Sequence, residues 1–244
     1  MVACHCKVCQ SNDPRDQRTR ASILVDHQNT RLLVDASADF RTQALRCGLT
    51  HLDGVLLTHA HSDHIGGIDD LRGITFSRQT PLPLYGTEKT LKEVQIRFSY
   101  LFSGKPAEGG TIARLETHTL PNVPSTQKFG SLDVLSFPLP HGSSSVLGYR
   151  FGKAAYLTDL HQIPDEIFPL LEGLELLILD CARVAPHRTH LHYDQSLQYA
   201  TRINAKKTVL THLGHDFGFE VWQKKCPPGI ELGVDGAEYT LTEP

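Results

Sequence analysis

The feature that most constrains this chain is a six-residue segment, His59-Ala60-His61-Ser62-Asp63-His64, which comes directly after an apolar run. The run, Gly54-Val55-Leu56-Leu57-Thr58, is continuous, which is typical of a strand buried on both faces. His59 and His61 lie two residues apart, so in an extended segment their side chains point the same way. A short helix is predicted over 65–71, so the carboxylate and the third imidazole lie where it begins. Three imidazoles and one carboxylate at such a turn predict a metal site.

Three further residues of ligand type stand at the ends of apolar runs. They are His141 after 137–140, Asp159 after 156–158 and His212 after 208–211. Together they repeat one arrangement, in which an apolar strand is followed by a ligand. With the four of the first segment they make seven ligands, whereas a catalytic zinc takes about three protein ligands and a water. Seven ligands therefore predict two metal ions that share a carboxylate and lie about 3.5–4 Å apart.

Three of the six cysteines crowd into the first nine residues, as Cys4, Cys6 and Cys9. No positively charged start followed by an apolar run precedes them, so we find no signal peptide and expect a cytoplasmic protein. Thiolates at this spacing then favour a metal site over disulfides, and a tetrahedral Zn²⁺ takes its fourth ligand, often a histidine, from elsewhere. The alternative is a group of reactive or incidental thiols near the terminus. The remaining cysteines are predicted to be small buried residues: Cys47, Cys181 and Cys226.

Length and charge limit the remaining classes of protein. The 244 residues carry 24 Lys and Arg against 27 Asp and Glu, a net charge of −3, which disfavours nucleic-acid binding through bulk electrostatics. The longest apolar stretch, near 174–179, is far shorter than the roughly 20 residues of a membrane-spanning helix. Strand and helix patterns alternate along the chain, which favours one α/β domain over residues 1–244, with a zinc loop at 4–9.

Local patterns place the other elements. Apolar and β-branched runs predict strands, beginning with a hairpin, at 21–26, 31–34, 82–85, 112–120, 132–137, 146–151, 154–158, 174–179 and 208–211. Helices that begin at a cap such as Thr87, or end at a glycine such as Gly48, are predicted at 39–47, 87–102, 193–203 and 216–224. A loop is predicted over 104–110.

The segment Thr58–His64 resembles the signature of the metallo-β-lactamase superfamily, whose later ligands occur in the order seen here for His141, Asp159 and His212. Within that superfamily the chain is similar to the phosphoribosyl 1,2-cyclic phosphate phosphodiesterase family. The similarity lies in the cysteine cluster and in three stretches, Arg18–Ser22, Arg188–His190 and Leu210–Asp216. It implies an α/β fold, the αββα sandwich of two mixed β-sheets flanked by helices. Relatives carry a first strand and a Gly-rich turn before the cysteines, where this chain has only residues 1–3, so we expect that strand to be missing.

The resemblance also implies a role for each candidate residue. One metal ion is held by His59, His61 and His141. The second ion is held by Asp63, His64 and His212, and the carboxylate that bridges both ions is Asp159. The catalytic residues are Asp63, which is also a ligand, and His190, which matches the family's proposed acid or substrate contact. The structural Zn²⁺ is held by Cys4, Cys6, Cys9 and His215. His215 lies three residues beyond His212, so one short loop connects the two sites.

The implied function is that of a dinuclear metal-dependent phosphodiesterase. It is a hydrolase of a small cyclic phosphate ester, with 5-phosphoribosyl 1,2-cyclic phosphate as the favoured substrate. A metal-bridging hydroxide attacks phosphorus, and the two active-site ions are Mn²⁺ or Zn²⁺. The expected partner is therefore a small-molecule phosphate ester, with neither a membrane nor a nucleic acid, and the family suggests a homodimer.

Four alternatives stay open. A tRNA 3′-processing endonuclease shares the histidine signature but requires a basic surface, and the chain offers only a thin basic face, predicted to be a solvated helix face, at Lys89, Lys92, Arg97 and Lys105. Another hydrolase of the superfamily acts on a thioester, a lactone or a different cyclic phosphate. Relatives in pyrroloquinoline quinone biosynthesis share the cysteine cluster. A non-enzymatic metal-binding protein is the last alternative, although a complete ligand set is hard to explain without chemistry.

Overall fold

The computed structural model describes residues 1–103 and 111–241, so the loop predicted over 104–110 lies outside the described residues. The chain divides into two compact units. The internal unit comprises residues 20–136, and the terminal unit comprises residues 1–19 and 137–244. The single domain over 1–244 stays a prediction.

A five-stranded sheet forms the framework of the internal unit. Its order is β1-β2-β3-β4-β5, with β1 antiparallel to β2 and the remaining pairs parallel. The strands are β1 Ile23–His27, β2 Thr30–Val34, β3 Gly54–Leu56, β4 Leu82–Thr87 and β5 Leu115–Leu120. The predicted hairpin is confirmed, because β1 and β2 pair from Ile23 opposite Val34 to His27 opposite Thr30. Strand β3 is buried along its whole length, as its continuous apolar sequence predicts.

Among its described residues, the internal unit has five α-helices. They are α1 Phe40–Arg46, α2 Ser62–Ile65, α3 Arg72–Thr75, α4 Glu88–Arg97 and α5 Ser99–Phe102. The predicted cap is present, since Thr87 Oγ1 accepts from the Thr90 amide at 3.2 Å. The predicted helix to residue 102 is interrupted at Phe98, whose φ of −114° and ψ of 39° leave helical geometry. The predicted helix over 65–71 is wrong, because α2 ends at Ile65 before two glycines and a 3₁₀ turn follows over Ile68–Leu71.

A second sheet has seven strands in the order β12-β11-β10-β9-β8-β7-β6. Pairing is parallel from β9 to β12 and antiparallel where β8 meets β9 and where β6 meets β7. The strands are β6 Ser125–Phe129, β7 Leu132–His141, β8 Ser144–Phe151, β9 Ala154–Leu157, β10 Leu176–Asp180, β11 Lys207–Thr211 and β12 Ile230–Leu232. By residue number, β6 and the first half of β7 belong to the internal unit.

The terminal unit adds α6 Tyr193–Ile203, at the predicted bounds, and α7 Phe219–Gln223, shorter than predicted. A 3₁₀ helix spans Asp165–Leu171. Helix α6 ends where Asn204 takes the left-handed φ of 55°. Two mixed sheets flanked by helices confirm the predicted metallo-β-lactamase fold. Among the described helices, none has the length and apolar character that crossing a bilayer requires.

Candidate metal centre

Four predicted ligands come together in the internal unit, on the chain that leaves β3 and enters α2. The His59 ring centroid lies 4.4 Å from that of His61 and 4.4 Å from that of His64. His64 Nε2 lies 3.8 Å from Asp63 Oδ2. His59 and His64 are buried, whereas His61 is exposed. The segment therefore gathers three imidazoles and a carboxylate, which suit Zn²⁺ and Mn²⁺ alike.

A buried aspartate that the sequence analysis missed orients one of these imidazoles. His64 Nδ1 donates to Asp35 Oδ2 at 2.7 Å, which assigns the lone pair of the neutral ring to Nε2. Asp35 also accepts from the Thr58 amide and hydroxyl, each at 2.8 Å. Thr58 Oγ1 in turn lies 3.0 Å from His59 Nδ1. Burial raises the pKa of Asp35, an effect that His64 and Thr58 oppose.

The terminal unit contains a matching arrangement at the carboxyl ends of β9, β10 and β11. His212 Nε2 lies 3.4 Å from Asp159 Oδ2, and His212 Nδ1 lies 3.3 Å from Asp180 Oδ1. Asp180, also missed, is fully buried and accepts from the Leu191 amide at 2.9 Å and the Asp159 amide at 3.2 Å. One carboxylate thus holds the backbone of Asp159 and lies beside the ring of His212.

Two more histidines surround this arrangement within the terminal unit. His141 Nδ1 donates to the Thr189 carbonyl at 2.9 Å, which leaves Nε2 as its ligand atom. His190 Nδ1 lies 3.7 Å from Asp159 Oδ1 and 3.8 Å from Asp180 Oδ2. The His190 ring centroid is 5.1 Å from those of both His141 and His212. His190 therefore lies among the candidate ligands, where it can transfer a proton or bind metal.

Three residues of these arrangements hold the left-handed backbone conformation, which non-glycine residues seldom adopt. They are Asp35 at φ 63°, Asp159 at φ 56° and His212 at φ 59°. Each follows the end of a buried strand, so the backbone turns sharply where the functional side chain must project. Such strain is held in place by the surrounding structure and clusters at functional sites.

The cysteine cluster forms entirely within the terminal unit. Ligand atoms of Cys4, Cys6, Cys9 and His215 all lie within 4.8 Å of one another. His215 Nδ1 is 3.3 Å from Cys4 Sγ and 3.5 Å from Cys6 Sγ. The Cys9 amide and the His215 ring lower the pKa of the Cys6 thiol to about 6, so a thiolate is available at neutral pH. Three thiolates and an imidazole suit a tetrahedral Zn²⁺.

The other cysteines follow the predicted burial only in part. Cys181 is buried and Cys226 is half-buried. Cys47 was predicted to be buried, and this prediction was wrong. It is exposed because it is the C-cap residue of α1, at the surface.

Comparison with known proteins identifies the family. A profile of the beta-lactamase superfamily domain matches residues 30–213. The crystal structure described as a new diphosphatase from the PhnP family superposes with a TM-score of 0.90 at 38% identity, over 97% of this chain and 89% of that one. The chain belongs to the PhnP family of the metallo-β-lactamase superfamily. That family assignment confirms the resemblance stated from the sequence.

Two curated relatives set the limits of this assignment. The octanoyltransferase of Porphyromonas gingivalis is 36% identical over 99% of this chain, but the match covers only 49% of that protein. The exodeoxyribonuclease YycJ of Bacillus anthracis is 24% identical over 79% of this chain and 67% of that protein. The chain thus spans about half to two thirds of the length of these relatives. About half of the protein that carries the transferase name lies outside its match to this chain.

Proposed function

We propose that the chain is a dinuclear metal-dependent phosphodiesterase that hydrolyses a small cyclic phosphate ester. The observation that carries the proposal is a pair of buried aspartates beside candidate ligand imidazoles: Asp35 accepts a hydrogen bond from His64 Nδ1, and the carboxylate of Asp180 lies 3.3 Å from His212 Nδ1. Carboxylate–histidine pairs of this kind fix the tautomer and raise the basicity of metal ligands. A phosphate compound as substrate is supported by the PhnP-family relative named a diphosphatase. The favoured substrate is 5-phosphoribosyl 1,2-cyclic phosphate, on the strength of the sequence resemblance.

Seven side chains would hold the two ions. We assign one ion to His59, His61 and His141. We assign the other to Asp63, His64 and His212, with Asp159 shared. When bound, the ions lower the pKa of a water and neutralise charge on the phosphoryl oxygens. Imidazoles with oriented Nε2 atoms and one shared carboxylate form a donor set that fits this role.

The chain's own groups would orient the ligands and move one proton. Asp35 would keep the Nδ1 proton of His64 committed, so that this ring keeps its tautomer through turnover, and Asp180 would place a negative charge beside His212. His190 would protonate the leaving sugar oxygen, a contribution of about 10²- to 10⁴-fold in rate. The His190 ring would be placed for this role by its position among the candidate ligands, with Nδ1 at 3.7 Å from Asp159 Oδ1 and 3.8 Å from Asp180 Oδ2.

The role of His190 has a direct test. His190→Ala should lower turnover by 100-fold or more while the protein keeps its full metal content, because a proton donor leaves the ligand set unchanged. Metal content by mass spectrometry and turnover should be measured on the same preparation. Loss of one metal ion together with activity would instead make His190 a ligand.

A structural Zn²⁺ is the second metal assignment. Cys4, Cys6, Cys9 and His215 would hold it, and the fit rests on their mutual closeness and on the lowered pKa of Cys6. The ion would then tie the N-terminal segment to the loop that carries His212, three residues before His215. This places the zinc in support of the active site and outside its chemistry.

Phosphorus NMR tests the substrate assignment. With added Mn²⁺, the protein should open 5-phosphoribosyl 1,2-cyclic phosphate to a ribose phosphate monoester, and the His61→Ala protein should not. A wild-type protein that cleaves a generic phosphodiester but leaves this compound intact would move the substrate elsewhere. Inactivity on every phosphodiester, in protein with full metal content, would contradict the proposed reaction.

One second candidate has a specific observation behind it. The solved PhnP-family relative is named a diphosphatase, so a phosphoanhydride competes with the cyclic ester as substrate. A nucleoside diphosphate ester should be offered to the protein under the same conditions as the cyclic phosphate. Preferred cleavage of the phosphoanhydride would favour this second candidate.

A further inference from the structure

Arg97, at the end of α4, contacts residues 59–64, the ligand segment of the internal unit. Sequence analysis assigned it to a solvated basic face with Lys89 and Lys92, and with Lys105, which lies outside the described residues. The structure instead gives it a defined partner, since Arg97 Nη1 donates to the carbonyl of Ala60 at 2.6 Å. Ala60 stands between the candidate ligands His59 and His61 in the sequence.

The bond has the features of a strong anchor. The donor is a guanidinium, which stays charged at any working pH, and charge-assisted hydrogen bonds are shorter and stronger than neutral ones. Arg97 Nη2 also lies 3.4 Å from Glu93 Oε2, one turn earlier on the same helix. About 44% of the Arg97 side chain remains exposed. Its guanidinium is therefore held between the helix surface and the ligand segment.

Helix α4 is a rigid base for this anchor. Leu91 and Val94 are buried in the core of the internal unit, and Thr87 caps the helix at its start. A bond from its last residue therefore fixes the Ala60 carbonyl with respect to the core. That carbonyl belongs to the peptide that enters His61, so rotation of the peptide would move the His61 side chain.

His61 has the greatest need of such an anchor. His59 and His64 are buried in the unit, whereas His61 is exposed. The packing that fixes the other two rings is reduced at His61, and a ligand imidazole must be held closely to bind metal well. We propose that Arg97 is a positioning residue that fixes His61 for metal binding through the carbonyl of Ala60. This inference rests on the proposed metal site and is independent of the substrate.

Metal affinity is the test. Mn²⁺ should be titrated into the full chain, stripped of active-site metal, with free Mn²⁺ followed by electron paramagnetic resonance. Mn²⁺ suits the experiment because the thiolate cluster discriminates against it. Arg97→Ala should weaken one Mn²⁺ site by about 10- to 100-fold, the usual effect of removing an outer partner of a ligand. Arg97→Lys, which keeps the charge and one donor, should recover part of that loss.

Two controls separate positioning from charge. Lys92→Ala removes an exposed positive charge from the same helix and should leave Mn²⁺ affinity within about twofold of wild type. In a His61→Ala background, Arg97→Ala should add less than a twofold loss, because the ligand on which it acts is gone.

The outcomes bear on separate claims. Wild-type Mn²⁺ affinity in the Arg97→Ala protein would overturn the inference, and so would an equal loss in Lys92→Ala or a full further loss in the His61→Ala background. A protein that binds Mn²⁺ in the expected pattern but cleaves no phosphodiester would keep the role of Arg97 and contradict only the proposed reaction. Absence of Mn²⁺ binding by the wild-type chain would overturn both.

Discussion

Two carboxylates give the candidate site its order at the scale of single residues. Asp35 and Asp180 are fully buried. Asp35 accepts from His64 Nδ1 and the Thr58 amide, whereas Asp180 accepts from the Asp159 amide and lies 3.3 Å from His212 Nδ1. The imidazole and the loop that carries it are therefore fixed by one group. A buried carboxylate without such partners would be costly, so its burial indicates that the partners compensate for the lost water.

Replacement of Asp180 by Asn tests whether a buried carboxylate beside a candidate ligand supports metal binding. The Asp180→Asn protein keeps the size of the side chain but loses the charge that lies 3.3 Å from His212 Nδ1. We expect metal affinity to fall by about 10- to 100-fold. Isothermal titration with Mn²⁺ measures it, and Asp194→Asn, an exposed change on α6, should leave the affinity unchanged. Equal affinity in the Asp180→Asn protein would contradict the role of Asp180.

The candidate ligands could be named from the sequence, whereas the buried carboxylates beside them were not. His59 and His61 were predicted from their spacing after an apolar strand, and His212 because it repeats, with His141 and Asp159, one arrangement of an apolar strand followed by a residue of ligand type. Asp35 and Asp180 carry the same signal, an aspartate at the end of an apolar strand, as does Asp159. The sequence could not show which histidine each aspartate contacts. Asp35 and His64, for example, are hydrogen-bonded although 29 residues separate them in the chain.

At the scale of elements, strands that end together account for the terminal part of the site. Strands β10 and β11 pair in parallel with Asp180 opposite Thr211, so the residues just beyond them meet at one edge. Strong local patterns were predicted well, as for β3 and α6. Strand β6 was missed because its sequence, Ser-Thr-Gln-Lys-Phe, is mostly polar, and β12 because it has three residues. Those strands depend on pairing with neighbours, which local sequence does not encode.

Gly66 and Gly67 follow directly after α2, and the second of them packs closely against the chain that leads into α1. A Cβ on Gly67 would clash with the Ser37 carbonyl and would meet Phe40 Cβ at 2.6 Å, so only glycine allows this close approach. We expect Gly67→Ala to lower the free energy of unfolding in urea by about 2–3 kcal/mol. Gly73→Ala, where nothing lies within 4 Å, should cost nothing or stabilise slightly. Equal stability of the two variants would show that the close approach is not required.

At the scale of the whole molecule, the cysteine cluster joins the two ends of the terminal unit. Cys4 and His215 are 211 residues apart, yet their ligand atoms lie 3.3 Å from each other. A metal ion at such a contact constrains the unfolded chain strongly and makes folding depend on metal. A bound ion would thereby tie the N-terminal segment to the loop that carries His212.

Zinc content tests this link. His215→Ala protein should contain one zinc ion fewer than wild type by elemental mass spectrometry, and its melting temperature should be lower by several degrees, since an ion bound only to the folded state stabilises it. His5→Ala removes an exposed histidine from the same segment and should keep both values. Unchanged zinc in the His215→Ala protein would assign the fourth ligand elsewhere.

The two-metal assignment is tested most directly by a stepwise titration of activity. Protein that retains its structural zinc, but is stripped of active-site metal, should be given Mn²⁺ in fractions of an equivalent, and hydrolysis of 5-phosphoribosyl 1,2-cyclic phosphate should be followed at each step. With two ions needed for the reaction, the rate should stay low through the first equivalent and rise to its maximum with the second. Full activity at one equivalent, with no further rise, would contradict a dinuclear centre.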